Sequence, residues 1–115
     1  VASLEALLDE DPQMSGLIVY NEWALPLVID RLAGLGHRVP QDISVIAICP
    51  DDTAERLPYP VTSVNLPVEG LARTAVQRLA GLIAAEAQPS VTMLAPQLKV
   101  RESTSPHKRP RPRNS

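Results

Sequence analysis

Cys49 is the only cysteine of the chain, and Asp51, Asp52 and Glu55 follow it closely. A thiol can serve as a nucleophile or redox switch, and neighbouring carboxylates can exchange protons or hold a cation. Neither chemistry finds its partners in this sequence. No basic group adjoins Cys49, and the acids beside it raise a thiol pKa rather than lower it, so a packed cysteine lining a cleft is the better reading. No general base, nucleophile or Gly-rich phosphate loop accompanies Asp51, Asp52 and Glu55, and a solvated acidic loop accounts for them. His37 has only His107 for company, in a tail expected to be disordered, so a histidine metal site is not expected, and a single cysteine excludes an internal disulfide or a cysteine-based zinc site. These residues argue against an enzyme and give no sign of a metal or cofactor.

The elements that must position these residues alternate between strand and helix. Leu4, Leu7 and Leu8 fit the last turns of an amphipathic helix, stopped by Asp9-Glu10-Asp11-Pro12. Leu17 to Tyr20 reads as a short buried strand, and Asn21 is placed to cap the helix that carries Leu25, Val28, Ile29 and Leu32 on one stripe. Pro26 lacks the amide a helix interior needs, which predicts a late start or a kink. That helix should end at Gly36, and the β-branched run Ile43 to Ile48 should be a strand buried on both faces. A helical turn is expected over Thr53 to Arg56 and a third strand over Val61 to Asn65. Val68, Leu71, Ala72, Ala75, Val76, Leu79, Leu82 and Ile83 predict a five-turn helix. Val91 to Leu94 and Gln97 to Arg101 can be strands, and the Pro/Arg-rich segment from Pro106 should be disordered.

This order predicts an α/β fold of βαβ units: a parallel sheet with helices on both faces. Right-handed crossovers then bring the loops after Tyr20, Ile48 and Asn65 to one edge, where such sheets hold small ligands.

At 115 residues and 44% hydrophobic content, the chain suits one domain with an aliphatic core, since it has one Trp, two Tyr and no Phe. No apolar run reaches the roughly 20 residues a bilayer needs, and no signal-peptide pattern opens the chain, so a soluble cytoplasmic protein without membrane contact is expected. The net charge is -2, but Lys108, Arg109, Arg111 and Arg113 crowd the terminus with no acid beside them. The body is therefore acidic and poorly suited to hold a phosphate backbone. The tail could add only weak, salt-sensitive DNA affinity, and a solubilising terminus is the blander reading.

Asn21-Glu22-Trp23-Ala24, Gly36-His37-Arg38-Val39-Pro40-Gln41-Asp42-Ile43-Ser44-Val45-Ile46, Pro60-Val61-Thr62-Ser63-Val64 and Val100-Arg101-Glu102-Ser103-Thr104 together resemble the effector-binding domain of the LacI/GalR transcriptional repressors. The resemblance covers residues 1 to 105, with residues 106 to 115 as the tail. It implies a periplasmic-binding-protein-like fold of which this chain is the C-terminal portion, an incomplete parallel-sheet α/β unit. It also implies a sugar-like small-molecule effector, a homodimer, and operator DNA bound only through an N-terminal helix-turn-helix that these residues lack. Dimer contacts would come from the helix after Asn21 and from Arg56-Leu57-Pro58.

The resemblance also assigns ligand positions. Asn21 matches the family's sugar-binding Asn, whose amide both donates and accepts, while Glu22 replaces the usual Asp and suits the first turn of a helix. Cys49 stands where the family has its second ligand, an Asp, and Leu66 where sugar-binding members often have Gln. Either the effector is less polar than a typical hexose, or Asp51, Asp52 and Trp23 supply contacts outside the family pattern. Trp23 could stack on a sugar ring, or cover the core or a subunit contact. A fragment of an exported sugar-binding transport protein is the alternative reading.

Overall fold

The computed structural model describes residues 2–107. In chain order the elements are α1 (Ala2–Glu10), β1 (Gly16–Val19), α2 (Leu25–Gly34), β2 (Ser44–Ile48), α3 (Asp51–Glu55), β3 (Thr62–Asn65), α4 (Val68–Ile83) and β4 (Gln97–Lys99). The strands form one sheet in the order β1-β2-β3-β4. The first three are parallel, as βαβ connections require, and β4 runs antiparallel to β3.

Pro26 sets where α2 begins. The helix starts at Leu25 with the proline in its first turn, where a missing amide leaves no intrahelical bond unmade. Its far end is closed by a pair of reversed bonds. The amide of His37 donates to the carbonyl of Leu32 at 2.9 Å and that of Gly36 to Ala33 at 3.1 Å, with Gly36 at φ 82°. Only a residue tolerant of positive φ closes a helix this way, which is why the helix ends where Gly36 predicts.

The core lies on one face of the sheet. Leu17 and Val45 are register partners, as are Val19 and Ala47, and their side chains meet Leu25, Ile29 and Leu32 of α2 and Leu4 and Leu8 of α1. Burying each large aliphatic side chain contributes about 1.5–3 kcal/mol, more than the 0–1 kcal/mol typical of an exposed ion pair. Burial therefore orients α1 and α2, and the Arg31–Glu5 ion pair between them is secondary. The expected burial of β2 on both faces is met on one only: Val45 and Ala47 are buried, whereas Ile46 and Ile48 are half-buried beside an exposed Ile18.

Helix α4 has the predicted length, yet none of its residues is buried. The expected strand over Val91 to Leu94 is absent: Val91 and Met93 are exposed, and among the described residues no neighbouring strand pairs with them. The last strand stops at Lys99 rather than Arg101, because the Arg101 amide donates to the Thr62 hydroxyl at 2.9 Å instead of to a ladder carbonyl. Of the basic tail expected from Pro106, positions 108–115 lie outside the described residues. No helix among the described residues is long and apolar enough to cross a membrane.

Candidate ligand cavity

Three parallel strands ending at Val19, Ile48 and Asn65 send their following loops to one edge of the sheet. There Tyr20, Asn21, Glu22, Trp23, Ile48, Cys49, Pro50, Asn65, Leu66 and Val68 surround a cavity of about 380 Å³. That volume falls within the range of small-molecule sites.

The first wall is shaped by Asn21. Its side-chain oxygen accepts the backbone N–H of Trp23 at 2.9 Å, forming an Asx turn ahead of α2. The expected helix cap is therefore displaced: Ala24 is the N-cap of α2, and Asn21 stabilises the turn before it. The Asn21 amide borders the cavity. Glu22 lies upstream of the helix rather than in its first turn. Its carboxylate accepts the Thr53 hydroxyl at 3.3 Å, tying this loop to α3. Trp23 stands at the rim with 83% of its surface exposed.

The second wall is the end of β2. The Cys49 amide donates to the Val64 carbonyl at 3.2 Å, which extends the ladder past Ile48 and turns the thiol inward. Burial pushes the thiol pKa up, the Glu22 carboxylate adds to this, and the Arg101 guanidinium opposes it. The sulfur is thus a neutral, weakly polar surface at neutral pH. Leu66 closes the third wall at the start of the connection to α4.

The structure brings four of the expected ligand residues together, Asn21, Trp23, Cys49 and Leu66, and leaves Asp51 outside the lining. The Asp51 carboxylate accepts Arg101 at 2.9 Å, Lys99 at 3.0 Å and the Asn65 amide at 3.2 Å. The Lys99 bond, then the Arg101 bond, hold its pKa below the ordinary carboxylate value. Asp52 pairs with Arg56 at 3.2 Å, and Glu55 lies 3.6 Å from Arg101. The acidic loop is thus largely engaged in ion pairs, and among the described residues no three His, Cys, Asp or Glu side chains could hold a metal.

Tyr20, Ile48, Pro50, Asn65 and Val68 also line the cavity, although the sequence did not mark them individually. Their signal was positional, since each lies at or just after the carboxyl end of a parallel strand.

A cavity at the carboxyl edge of a parallel sheet is where α/β folds hold small ligands. The family described as periplasmic binding protein-like domain matches residues 1–104. The chain belongs to that family, in the form found in the LacI/GalR regulators. It is 32% identical to the HTH-type transcriptional regulator CelR of Thermobifida fusca over 90% of this chain, and it spans 31% of that relative. The solved CelR-cellobiose complex superposes with a TM-score of 0.79 at 31% identity, covering 89% of this chain and 32% of the other. A LacI family regulator from Arthrobacter sp. FB24 in complex with lactose gives 0.73 at 32% identity, over 87% of this chain and 39% of the other.

Proposed function

We propose that this chain is the effector-binding and dimerisation part of a LacI-type transcriptional repressor, and that its cavity takes a sugar or sugar-like metabolite. The observation that supports this most directly is the convergence of Asn21, Trp23, Cys49 and Leu66 on one cavity at the carboxyl edge of the parallel strands. Two similar proteins were solved with the disaccharides cellobiose and lactose.

The Asn21 amide donates to a ligand hydroxyl, and Trp23 offers a ring face to its apolar side. Cys49 and Leu66 present little hydrogen-bonding capacity, which favours a ligand that turns apolar surface toward them. Binding between two lobes favours one lobe arrangement, and in the dimer that arrangement sets the spacing of two DNA-binding heads. The coupling is a difference in ligand affinity between two conformations and needs no catalysis. Operator DNA is engaged through an N-terminal helix-turn-helix outside these 115 residues, in keeping with the acidic body. Leu27, exposed on α2, and Leu35, exposed at its C-cap, join the Arg56-Leu57-Pro58 segment in the dimer contact of a cytoplasmic homodimer.

The test is calorimetric titration of the full-length gene product with cellobiose and lactose, alongside operator binding. Saturable binding of either sugar with a changed operator affinity is the expected result. A folded, operator-binding protein that takes up neither sugar overturns the sugar assignment. An exported leader in place of a helix-turn-helix upstream of Val1 would favour a transport binding protein instead. Sedimentation should show Leu27→Asp dissociating the dimer, and an unchanged mass counts against the α2 contact.

A further inference from the structure

Helix α4 and the segment after it are carried by two adjacent strands. One leaves the sheet at Asn65 and the other returns at Gln97, and these two residues are register partners. Asp51 grips both strands. It accepts from Asn65 on the outgoing strand, from Lys99 on the returning one, and from Arg101 just past its end. Arg101 is itself held in place, with its side chain only 10% exposed and its guanidinium donating to the Val61 carbonyl at 2.9 Å and the Ser63 hydroxyl at 2.6 Å. Asp51 also follows Cys49 and Pro50 directly, and both line the cavity. One carboxylate thus joins the second cavity wall to both strands that carry α4.

We propose that Asp51 is a positioning residue for the cavity: through Lys99, Arg101 and Asn65 it locks the Cys49-Pro50 wall to the crossing strands, so that wall and strands move together. The consequence for ligand affinity rests on the sugar-binding reading. The lock itself does not. Releasing it lets the wall open, which raises exposure of Cys49 and weakens any ligand held against that wall.

Cys49 is the chain's single cysteine and is 4% exposed, so its rate of labelling by a thiol reagent reports opening of the wall without any ligand. Asp51 raises the thiol pKa and Arg101 lowers it. Electrostatics alone therefore make labelling faster in Asp51→Asn and slower in Arg101→Gln. Loss of the lock makes labelling faster in both, by roughly tenfold. Asp42→Asn, which breaks the distant Arg38–Asp42 pair, should leave the rate unchanged. Circular dichroism establishes that each variant is folded. If Arg101→Gln does not fold, the half-exposed Lys99→Gln takes its place and should also label faster.

Slower or unchanged labelling in the folded Arg101→Gln or Lys99→Gln protein overturns the lock. A cellobiose titration of wild type and Asp51→Asn then reads the consequence, with affinity expected to fall roughly tenfold. Failure of wild type to bind cellobiose or lactose removes the sugar assignment and leaves the lock to be judged by labelling. Equal affinity in the two proteins removes the link between lock and ligand.

Discussion

The hydroxyl of Ser103 donates to the Val45 carbonyl at 2.5 Å while accepting the Thr62 amide at 2.8 Å, and the Ser103 carbonyl accepts the Val45 amide at 2.9 Å. One fully buried side chain thus joins β2, β3 and the segment after β4. In Ser103→Ala the Thr62 N–H and the Val45 carbonyl each lose a buried partner. The expected loss is about 2–4 kcal/mol in urea unfolding. A loss below about 0.5 kcal/mol would show that water replaces the hydroxyl.

The turn made by Asn21 separates a structural role from a ligand role. Asn21→Ala removes the acceptor for the Trp23 amide and should lower stability by about 1 kcal/mol, whereas Asn21→Asp keeps it. Both lack the amide donor. Sugar affinity should therefore fall in both variants while stability falls mainly in the first. Wild-type affinity in Asn21→Asp would confine Asn21 to the turn.

Helix α4 ends on an alanine in the left-handed region, Ala85 at φ 58°, with the Glu86 amide bonded to the Gly81 carbonyl at 2.9 Å. A Cβ is disfavoured in that conformation. Ala85→Gly should stabilise the chain by roughly 0.5–1 kcal/mol despite the added freedom of the unfolded state, read as a higher melting temperature. A lower melting temperature would contradict this helix ending.

Acid stability follows from two carboxylates. Hydrogen bonds from the Arg38 side chain and then its backbone lower the Asp42 pKa, and Lys99 and then Arg101 lower that of Asp51. Groups depressed in the folded state contribute stability that is complete above the unfolded carboxylate pKa, near ~4. That stability is lost as pH falls through the lower folded values. The urea midpoint should hold steady from about pH 5 to 7 and fall below about pH 4. Asp51→Asn should start lower at neutral pH and lose less on acidification; an acid limb as steep as that of wild type would contradict the assignment.

Much of the fold was legible because local signals determined it. Pro26 and Gly36 bracket α2, the Ile43 to Ile48 run contains β2, and the apolar spacing over Val68 to Ile83 gives α4 its length. The cavity was legible at the level of its edge, since strand order alone brings three loops together. Partnership was not legible. Val91 to Leu94 has strand-like composition, but a strand needs a neighbour for its amides and carbonyls. Asp51 was expected as a ligand because it lies two residues past Cys49, the position where the family resemblance places an Asp, whereas its partners Lys99 and Arg101 lie some fifty positions away and appear only when β4 pairs with β3.

Trp23 is the chain's one tryptophan and stands at the cavity rim, so its emission tests directly whether this cavity is the ligand site. Titrating the folded protein with cellobiose and lactose should give a saturable change in Trp23 emission for at least one sugar, with weaker affinity in Asn21→Asp, which keeps the Trp23 turn. Calorimetric binding with no change at Trp23 would place the ligand elsewhere and contradict the assignment.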